Sequence, residues 1–106
     1  MNNHSILVAN ILLELGSRKD LMIWKNSTGV AVADGRHVRY GLKGSPDIIG
    51  VIEGGIFLGI EVKTGSATQS PHQKKFQKRF EQLGGLYIVA RSTEDIKKIP
   101  IGKIGI

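Results

Sequence analysis

Two strand-like runs that flank a short glycine turn constrain the fold of this chain more than any other feature. The runs are Asp47–Ile52 and Ile56–Lys63, and the turn between them is Glu53-Gly54-Gly55. Both runs are rich in isoleucine and valine, and glycine permits a tight reversal, so the segment is typical of a β-hairpin. The pattern predicts two neighbouring antiparallel strands whose register is set by the length of the loop.

The register of this hairpin decides whether two carboxylates meet. A three-residue loop places Asp47 directly opposite Glu61, whereas a two-residue loop would pair Asp47 with Val62. Directly opposed residues have Cβ atoms about 4.5 to 5.5 Å apart, which is close enough for two carboxylates to share a divalent cation. Because side chains alternate along a strand, Lys63 projects on the same face as Glu61.

Two carboxylates and a lysine in this arrangement predict chemistry on phosphate. Adjacent carboxylates repel each other unless a cation or a proton lies between them. Oxygen ligands favour Mg²⁺, with Mn²⁺ as a substitute, over zinc. A metal held by Asp47 and Glu61 would activate water and polarise a phosphodiester, and Lys63 would offset charge developing on phosphorus. The plain alternative is an ordinary polar strand face with an exposed ion pair.

The remaining patterns place helices and further strands around the hairpin. The spacing from Ile6 to Leu15 predicts a helix that starts after Ser5 and ends at Gly16. The other expected elements are strands Leu21–Lys25 and Val30–Ala33, a loop Asp34–Ser45, a helix capped by Ser70 and Gln73 and ending at Gly84, a strand Leu86–Ala90 and a short helix Thr93–Lys98. The order α-β-β-β-β-α-β-α predicts an α/β fold, a mixed sheet flanked by helices, in one domain over residues 1–106. We expect Trp24, Phe76 and Phe80 in its core.

The charge distribution indicates a polyanionic partner. Lys and Arg number 15 against 9 Asp and Glu, a formal net charge of +6. Residues 45–68 form a small acidic centre between basic flanks, an arrangement that a phosphate-binding protein tolerates when a cation neutralises the centre. The chain has no cysteine, which excludes a disulfide framework, a thiolate zinc site and a cysteine nucleophile. It has no apolar run long enough for a membrane span, and we expect a cytoplasmic protein.

Several short segments resemble, in order and spacing, the stand-alone VRR-NUC domains of phages and bacteria. Ser45-Pro46-Asp47 and Glu61-Val62-Lys63 are similar to the P-D…(D/E)-x-K signature of the restriction-endonuclease-like nucleases. The further matching segments are Trp24-Lys25-Asn26, Arg39-Tyr40-Gly41, Ile48-Ile49-Gly50, Ser70 with Gln73 and Phe76, and Leu83-Gly84-Gly85. The resemblance implies a restriction-endonuclease-like core, metal-dependent endonuclease activity, branched DNA such as a Holliday junction as substrate, and a homodimer.

The resemblance also implies roles for individual residues. Asp47 and Glu61 would be metal ligands and Lys63 the catalytic lysine. Glu14 would be an additional acidic residue and metal ligand, although a lone carboxylate on an apolar helix is usually its solvent-facing position. Gln73 would open the second helix at the site, although the capping box already explains it. Residues 64–69 carry no charge where relatives often have one, which weakens the transfer of substrate contacts there.

Two groups of mostly basic residues are candidate DNA contacts. One group lies in the predicted loop and the other on the predicted second helix: Arg36, Arg39, Tyr40 and Lys43, and Lys74, Lys75, Lys78 and Arg79. The alternatives are an uncommitted loop and a solvated helix face.

Two classes of function are compatible with these residues. The first class is a Mg²⁺-dependent endodeoxyribonuclease, and the second is a DNA-binding accessory domain of phage recombination or packaging that does not cut. The acidic centre favours the endonuclease, because acidic residues that hold no metal only weaken binding to phosphate.

The C-terminal tail carries four large apolar residues: Ile99, Ile101, Ile104 and Ile106. They predict a dimer contact, unless the tail folds back as an edge strand of its own domain.

Overall fold

The protein is built on a four-stranded sheet with a helix on each face. The computed structural model describes residues 2–100. The elements are α1 (Asn3–Gly16), β1 (Leu21–Lys25), β2 (Gly29–Ala33), β3 (Arg36–Tyr40), β4 (Ile48–Ile52), β5 (Ile56–Val62), α2 (Pro71–Gln82), β6 (Leu86–Ala90) and a 3₁₀ helix (Thr93–Lys98). The main sheet has the order β1-β4-β5-β6, with β6 parallel to β5 and the other pairs antiparallel. The predicted α/β class with a mixed sheet flanked by helices is confirmed.

The first helix begins one turn earlier than the sequence pattern predicts. Its N-cap is Asn2, whose side-chain oxygen accepts a hydrogen bond from the backbone N–H of Ser5 at 2.8 Å. The prediction that the helix starts after Ser5 is wrong, because asparagine caps a helix as well as serine does and lies upstream of it.

The prediction of a loop over residues 34–45 is also wrong in part, because β3 lies within it. β2 and β3 form a separate two-stranded sheet, in which Ala33 pairs with Arg36 across the turn Asp34-Gly35. Both turn residues have positive φ, 51° and 74°, as a two-residue type I′ hairpin turn requires. An Asp-Gly pair is a strong hairpin signal, but the polar strand Arg36–Tyr40 obscures it.

The hydrophobic core lies between α1 and one face of the main sheet. From α1, Val8, Ile11 and Leu15 are buried. The sheet contributes Ile48, Ile52, Leu58, Ile60, Val62, Ile88 and Ala90, and the end of the described chain contributes Ile96 and Ile99. Of the apolar tail, Ile99 is thus buried in its own chain, while Ile101, Ile104 and Ile106 lie outside the described residues. Within residues 2–100, no helix is long and apolar enough to cross a membrane.

The opposite face of the sheet is only partly covered. Phe76 and Phe80 of α2 stack with ring centroids 5.4 Å apart and pack against Tyr87 on β6. α2 therefore covers the β5–β6 half of this face. Trp24, on the edge strand β1, is 46% exposed, so its predicted core position is wrong.

Gly44 holds the segment that leads into β4 close to the start of α2. It has φ +85°, and a Cβ at this position would lie 2.5 Å from the backbone oxygen of His72. Only glycine combines this conformation with so close an approach. The contact brings Ser45, Pro46 and Asp47 beside α2 at the edge where β4 begins.

Candidate active site

The hairpin register brings Asp47 and Glu61 together. Ile48 pairs with Ile60 and Ile52 pairs with Ile56, so the three-residue loop is confirmed. Asp47 immediately precedes β4 and therefore lies opposite Glu61. Its carboxylate Oδ2 accepts a hydrogen bond from the backbone N–H of Val62 at 2.8 Å, which ties it to the neighbouring strand.

Glu61 is a buried carboxylate with an unpartnered oxygen. The residue is 2% exposed, and among the described residues its Oε2 has no hydrogen-bond partner. Burial, together with the Asp47 carboxylate beside it, holds the pKa of Glu61 well above its ordinary value, while nearby Lys63 and Tyr87 partly oppose this shift. A buried charge without a partner is costly, so this oxygen needs a proton or a cation.

Lys63 and Tyr87 complete the polar surroundings of Glu61. Lys63 is half-buried at the end of β5, and its positive charge acts on the Glu61 carboxylate. Burial and the charge of Glu61 raise the pKa of Tyr87, whose hydroxyl accepts a hydrogen bond from Gln69 Nε2 at 3.3 Å. The Gln69 amide also donates to Gln77 Oε1 at 2.9 Å, so α2 is linked to the carboxylate pair through side chains.

Asp47 is held from its other side by residues that the sequence analysis did not single out. Asn26 donates from its side chain to Ser45 Oγ at 2.8 Å and to the Pro46 carbonyl at 2.9 Å. Its backbone N–H donates to the Asp47 carbonyl at 2.8 Å. His4 on α1 lies with Nε2 3.3 Å from Asp47 Oδ2. The only sequence signal for Asn26 is its place in the Trp24-Lys25-Asn26 match, and His4 and Tyr87 have none.

A cavity of about 380 Å³ opens beside Asp47. The N-terminal half of α1 forms one wall, and Lys25 stands at the end of β1: the lining residues are His4, Ser5, Val8, Ala9, Leu12, Lys25 and Asp47. The cavity gives a ligand access to Asp47 of the carboxylate pair.

The structure does not bring Glu14 to the carboxylate pair. Glu14 is exposed near the C-terminal end of α1. The α1 residue beside Asp47 is His4, ten positions earlier, which corresponds to about 15 Å along a helix axis. The expectation that Glu14 joins the metal ligands is therefore corrected, because the N-terminal end of α1 lies beside Asp47 and Glu14 is near the C-terminal end.

Gln73 forms the capping box that its spacing predicts. Its Oε1 accepts from the backbone N–H of Ser70 at 2.8 Å, and its own N–H donates to Ser70 Oγ at 3.2 Å. Its side-chain oxygen is thus engaged at the start of α2 in stabilising the helix.

The basic residues fall into two places. Lys43, Lys75 and Arg79 line one groove of about 280 Å³ between α2 and the segment after β3, together with Leu42, His72 and Phe76. Lys74 and Lys78 are exposed on other parts of α2. Arg36, Arg39 and Tyr40 lie on the exposed β3 strand.

The Asp47–Glu61 carboxylate pair fits a divalent cation that takes most of its ligands from water and substrate. The unpartnered Glu61 oxygen beside Asp47 supplies hard oxygen ligands of the kind that Mg²⁺ and Mn²⁺ prefer. No group of three His, Cys, Asp or Glu side chains within residues 2–100 is arranged to hold a metal ion. Water and substrate oxygens would therefore fill the remaining positions, as is usual for Mg²⁺.

Comparison with known proteins identifies the fold. A solved structure described as a VRR_NUC domain aligns with a TM-score of 0.67 and 20% identity, covering 93% of this chain and 95% of that chain. The chain therefore has the VRR_NUC domain fold, as the sequence resemblance implies. No family model and no curated protein matches the sequence.

The Glu61→Gln variant tests the buried carboxylate. Since folding raises the pKa of Glu61, the folded state binds the proton more tightly than the unfolded state, and metal-free stability falls as pH rises above the ordinary carboxyl range. At mildly alkaline pH without metal, the free energy of unfolding of Glu61→Gln should exceed that of the wild type by about 1–3 kcal/mol, because a buried amide needs neither a proton nor a cation. The difference should shrink toward acid pH.

Urea denaturation across pH measures this difference. Glu81→Gln, on the exposed surface of α2, is the control and should change little at any pH. Mg²⁺ should stabilise the wild type and not Glu61→Gln. Equal pH profiles for the wild type and Glu61→Gln would contradict the burial argument.

Proposed function

We propose that this protein is a Mg²⁺-dependent DNA endonuclease. The observation that carries the proposal is the buried Glu61 oxygen, which has no partner among residues 2–100 and lies beside Asp47 and within range of the Lys63 charge. A protein of net charge +6 has little use for such an acidic centre unless a metal is held there. The VRR_NUC description of the similar structure agrees with a nuclease.

Each residue of the site has a chemical task in phosphodiester hydrolysis. Asp47 and Glu61 would hold the cation. When bound, it would polarise a phosphate oxygen of the substrate and make a bound water more acidic. Lys63 would stabilise the negative charge that develops on the phosphoryl oxygens. Val62 N–H and Asn26 fix Asp47, so its geometry is set before substrate arrives. The cavity beside Asp47 gives the attacking water a route to the phosphate.

Metal-dependent cleavage is tested with labelled duplex, flap and four-way-junction DNA in Mg²⁺, Mn²⁺ or EDTA. Asp47→Asn, Glu61→Gln and Lys63→Met should each lower the cleavage rate by at least about 100-fold, because each removes a group that acts on the reacting phosphate. Glu14→Gln is the matched control and should cut like the wild type. We expect branched DNA to be cut in preference to duplex.

The outcomes separate the two classes of function. Cutting in EDTA, or undiminished cutting by Glu61→Gln, would falsify the metal site. DNA binding without cutting in either metal would instead support the accessory domain of phage recombination or packaging.

DNA would be held first by the groove between α2 and Lys43. Lys43, Lys75 and Arg79 are exposed cations that line one groove, which is the pattern expected for a phosphate track. Replacing these three residues with alanine should reduce the slope of log affinity against log salt by about 0.9 for each phosphate that the protein no longer neutralises.

Fluorescence anisotropy at several salt concentrations measures that slope. The control replaces Lys97 and Lys98, which pair with Glu94 and Asp95 on the 3₁₀ helix, and should leave the slope unchanged. An unchanged slope for the groove variant would mean that its cations are merely solvated.

The assembly we propose is a two-fold homodimer. Its support is the uncovered part of the sheet face beside α2, where Met22, Trp24 and Phe57 are 60%, 46% and 57% exposed. Met22 and Phe57 both pair with Val51, so they share one face. Symmetric association is the commonest way to bury such a patch, and a two-fold axis would match the symmetry of a four-way junction.

Light scattering tests the assembly. The wild type should have twice the chain mass of 11.5 kDa. A double variant, Met22→Glu with Phe57→Glu, should be monomeric, because it places charge in the apolar contact. The control Leu13→Glu, at an exposed apolar residue on α1, should stay dimeric. A wild-type mass of one chain overturns the proposal. If the double variant is still a dimer, the interface lies elsewhere on the protein. Removal of residues 101–106 then tests whether the tail forms it.

A further inference from the structure

The β2–β3 arm (residues 29–40) stands apart from the main sheet. Within residues 2–100 its two strands pair only with each other, and residues 30–40 are all exposed. A two-stranded hairpin alone is marginally stable in water. An arm that leaves valines and a tyrosine exposed therefore has a surface suited to contact with another molecule.

The two faces of the arm carry different residues of similar character. Cross-strand pairs share a face, so one face holds Val30 with Arg39 and Val32 with His37. The other face holds Ala31 with Val38, Ala33 with Arg36, and Tyr40 across Gly29. Each face thus combines an arginine with apolar side chains. The one acidic residue of the arm, Asp34, lies in its turn.

This pattern favours duplex DNA over a second copy of the chain. A second copy of this chain, with its net charge of +6, would bring like charge to an arm that carries an arginine on each face. A β-ribbon inserted into a groove of DNA has negatively charged phosphates on both sides. One arginine on each face of the arm matches that charge. The major groove admits a two-stranded ribbon and offers thymine methyl groups to apolar side chains.

The base of the arm is joined to the active site. The chain leaves β1 at Lys25 and returns at Ser45, and Asn26 bonds to Ser45, Pro46 and Asp47 across these two legs. Lys43, just beyond β3, lines the basic groove of α2. DNA that lies along this groove with a phosphodiester at Asp47 would therefore pass the base of the arm.

We infer that the β2–β3 arm inserts into the major groove of duplex DNA beside the cleaved bond and fixes the position of the cut. The inference rests on DNA as the partner in the proposed function. Arg36 lies next to the turn and Arg39 lies three residues nearer the base, about 10 Å along a strand. This spacing is close to the groove depth of about 8.5 Å, so Arg36 reaches base edges while Arg39 meets phosphates at the rim.

Dimethyl sulfate protection of guanine N7 tests the inference, because N7 faces the major groove. The footprint uses the Asp47→Asn protein on labelled duplex and junction DNA, so binding is recorded without cutting. Three changes are made in that background: Arg36→Ala, Arg39→Ala, and replacement of residues 32–37 by Asn-Gly. The last change joins the paired residues Ala31 and Val38 through a two-residue turn and leaves the base of the arm in place.

Arg36→Ala and the shortened arm should lose the N7 protection, with affinity about 10- to 100-fold weaker. Arg39→Ala should weaken binding similarly on all sequences and keep the N7 protection. In the background of an intact Asp47, the shortened arm should still cut, at scattered positions. The control Lys97→Ala should match its parent in both assays.

Unchanged N7 protection in both Arg36→Ala and the shortened arm overturns the inference. Protection of adenine N3 in place of guanine N7 also overturns it, since N3 faces the minor groove. So does a shortened arm that turns a dimer into a monomer with an unchanged footprint, because the arm would then bind a second copy. Failure of the proposed function looks different: the wild type would cut no DNA with any metal while the arm still protects N7.

Discussion

The register of the β4–β5 hairpin is the constraint on which the site depends. One residue of slip would turn every side chain of a strand to the other face and separate Asp47 from Glu61. The register is held by the Glu53-Gly54-Gly55 turn and by the core side chains Ile48, Ile52, Leu58 and Ile60, all of which face α1. Apolar packing on the α1 side of β5 thus stabilises the register that places Glu61 beside Asp47 on the opposite side.

The burial of Glu61 is the cost of this arrangement. A sheet interior flanked by α2 and Tyr87 excludes water from the carboxylate, and the backbone N–H of Val62 holds the Asp47 carboxylate beside it. Buried polar groups that lack partners are rare in folded proteins and cluster where function requires them. The same low-dielectric surroundings that destabilise an unpaired Glu61 would strengthen its hold on a cation. The feature that destabilises the metal-free protein would therefore stabilise it once a cation is bound.

The sequence predicts the parts of this structure whose causes are local. Loop length gives the hairpin register, the Ser70-Pro71-His72-Gln73 run gives the start of α2, and side-chain alternation puts Lys63 on the face of Glu61. The strand β3 is missed because its residues are mostly polar and all exposed, so no apolar alternation marks it; within residues 2–100 it pairs only with β2.

Contacts between distant parts of the chain escape such an argument. His4 meets Asp47 from 43 residues away, and Asn26 reaches Pro46 from 20. The choice of Glu14 over His4 fails for the same reason: periodicity identifies the apolar face of α1 but not which end of the helix approaches the hairpin. Trp24 is misjudged because the width of the sheet that α2 covers depends on tertiary packing.

The freedom of the β2–β3 arm has a consequence for how such a protein changes over time. Among the described residues the arm forms its own sheet and contributes nothing to the core, so substitutions and changes of length within it leave the packing around Ile11 and Ile60 untouched. The carboxylate pair tolerates almost no change, since both its register and its burial are shared with that core. In an endonuclease of the kind proposed, the arm could therefore change its target preference without disturbing the carboxylate pair, and Asn26 would join these two parts.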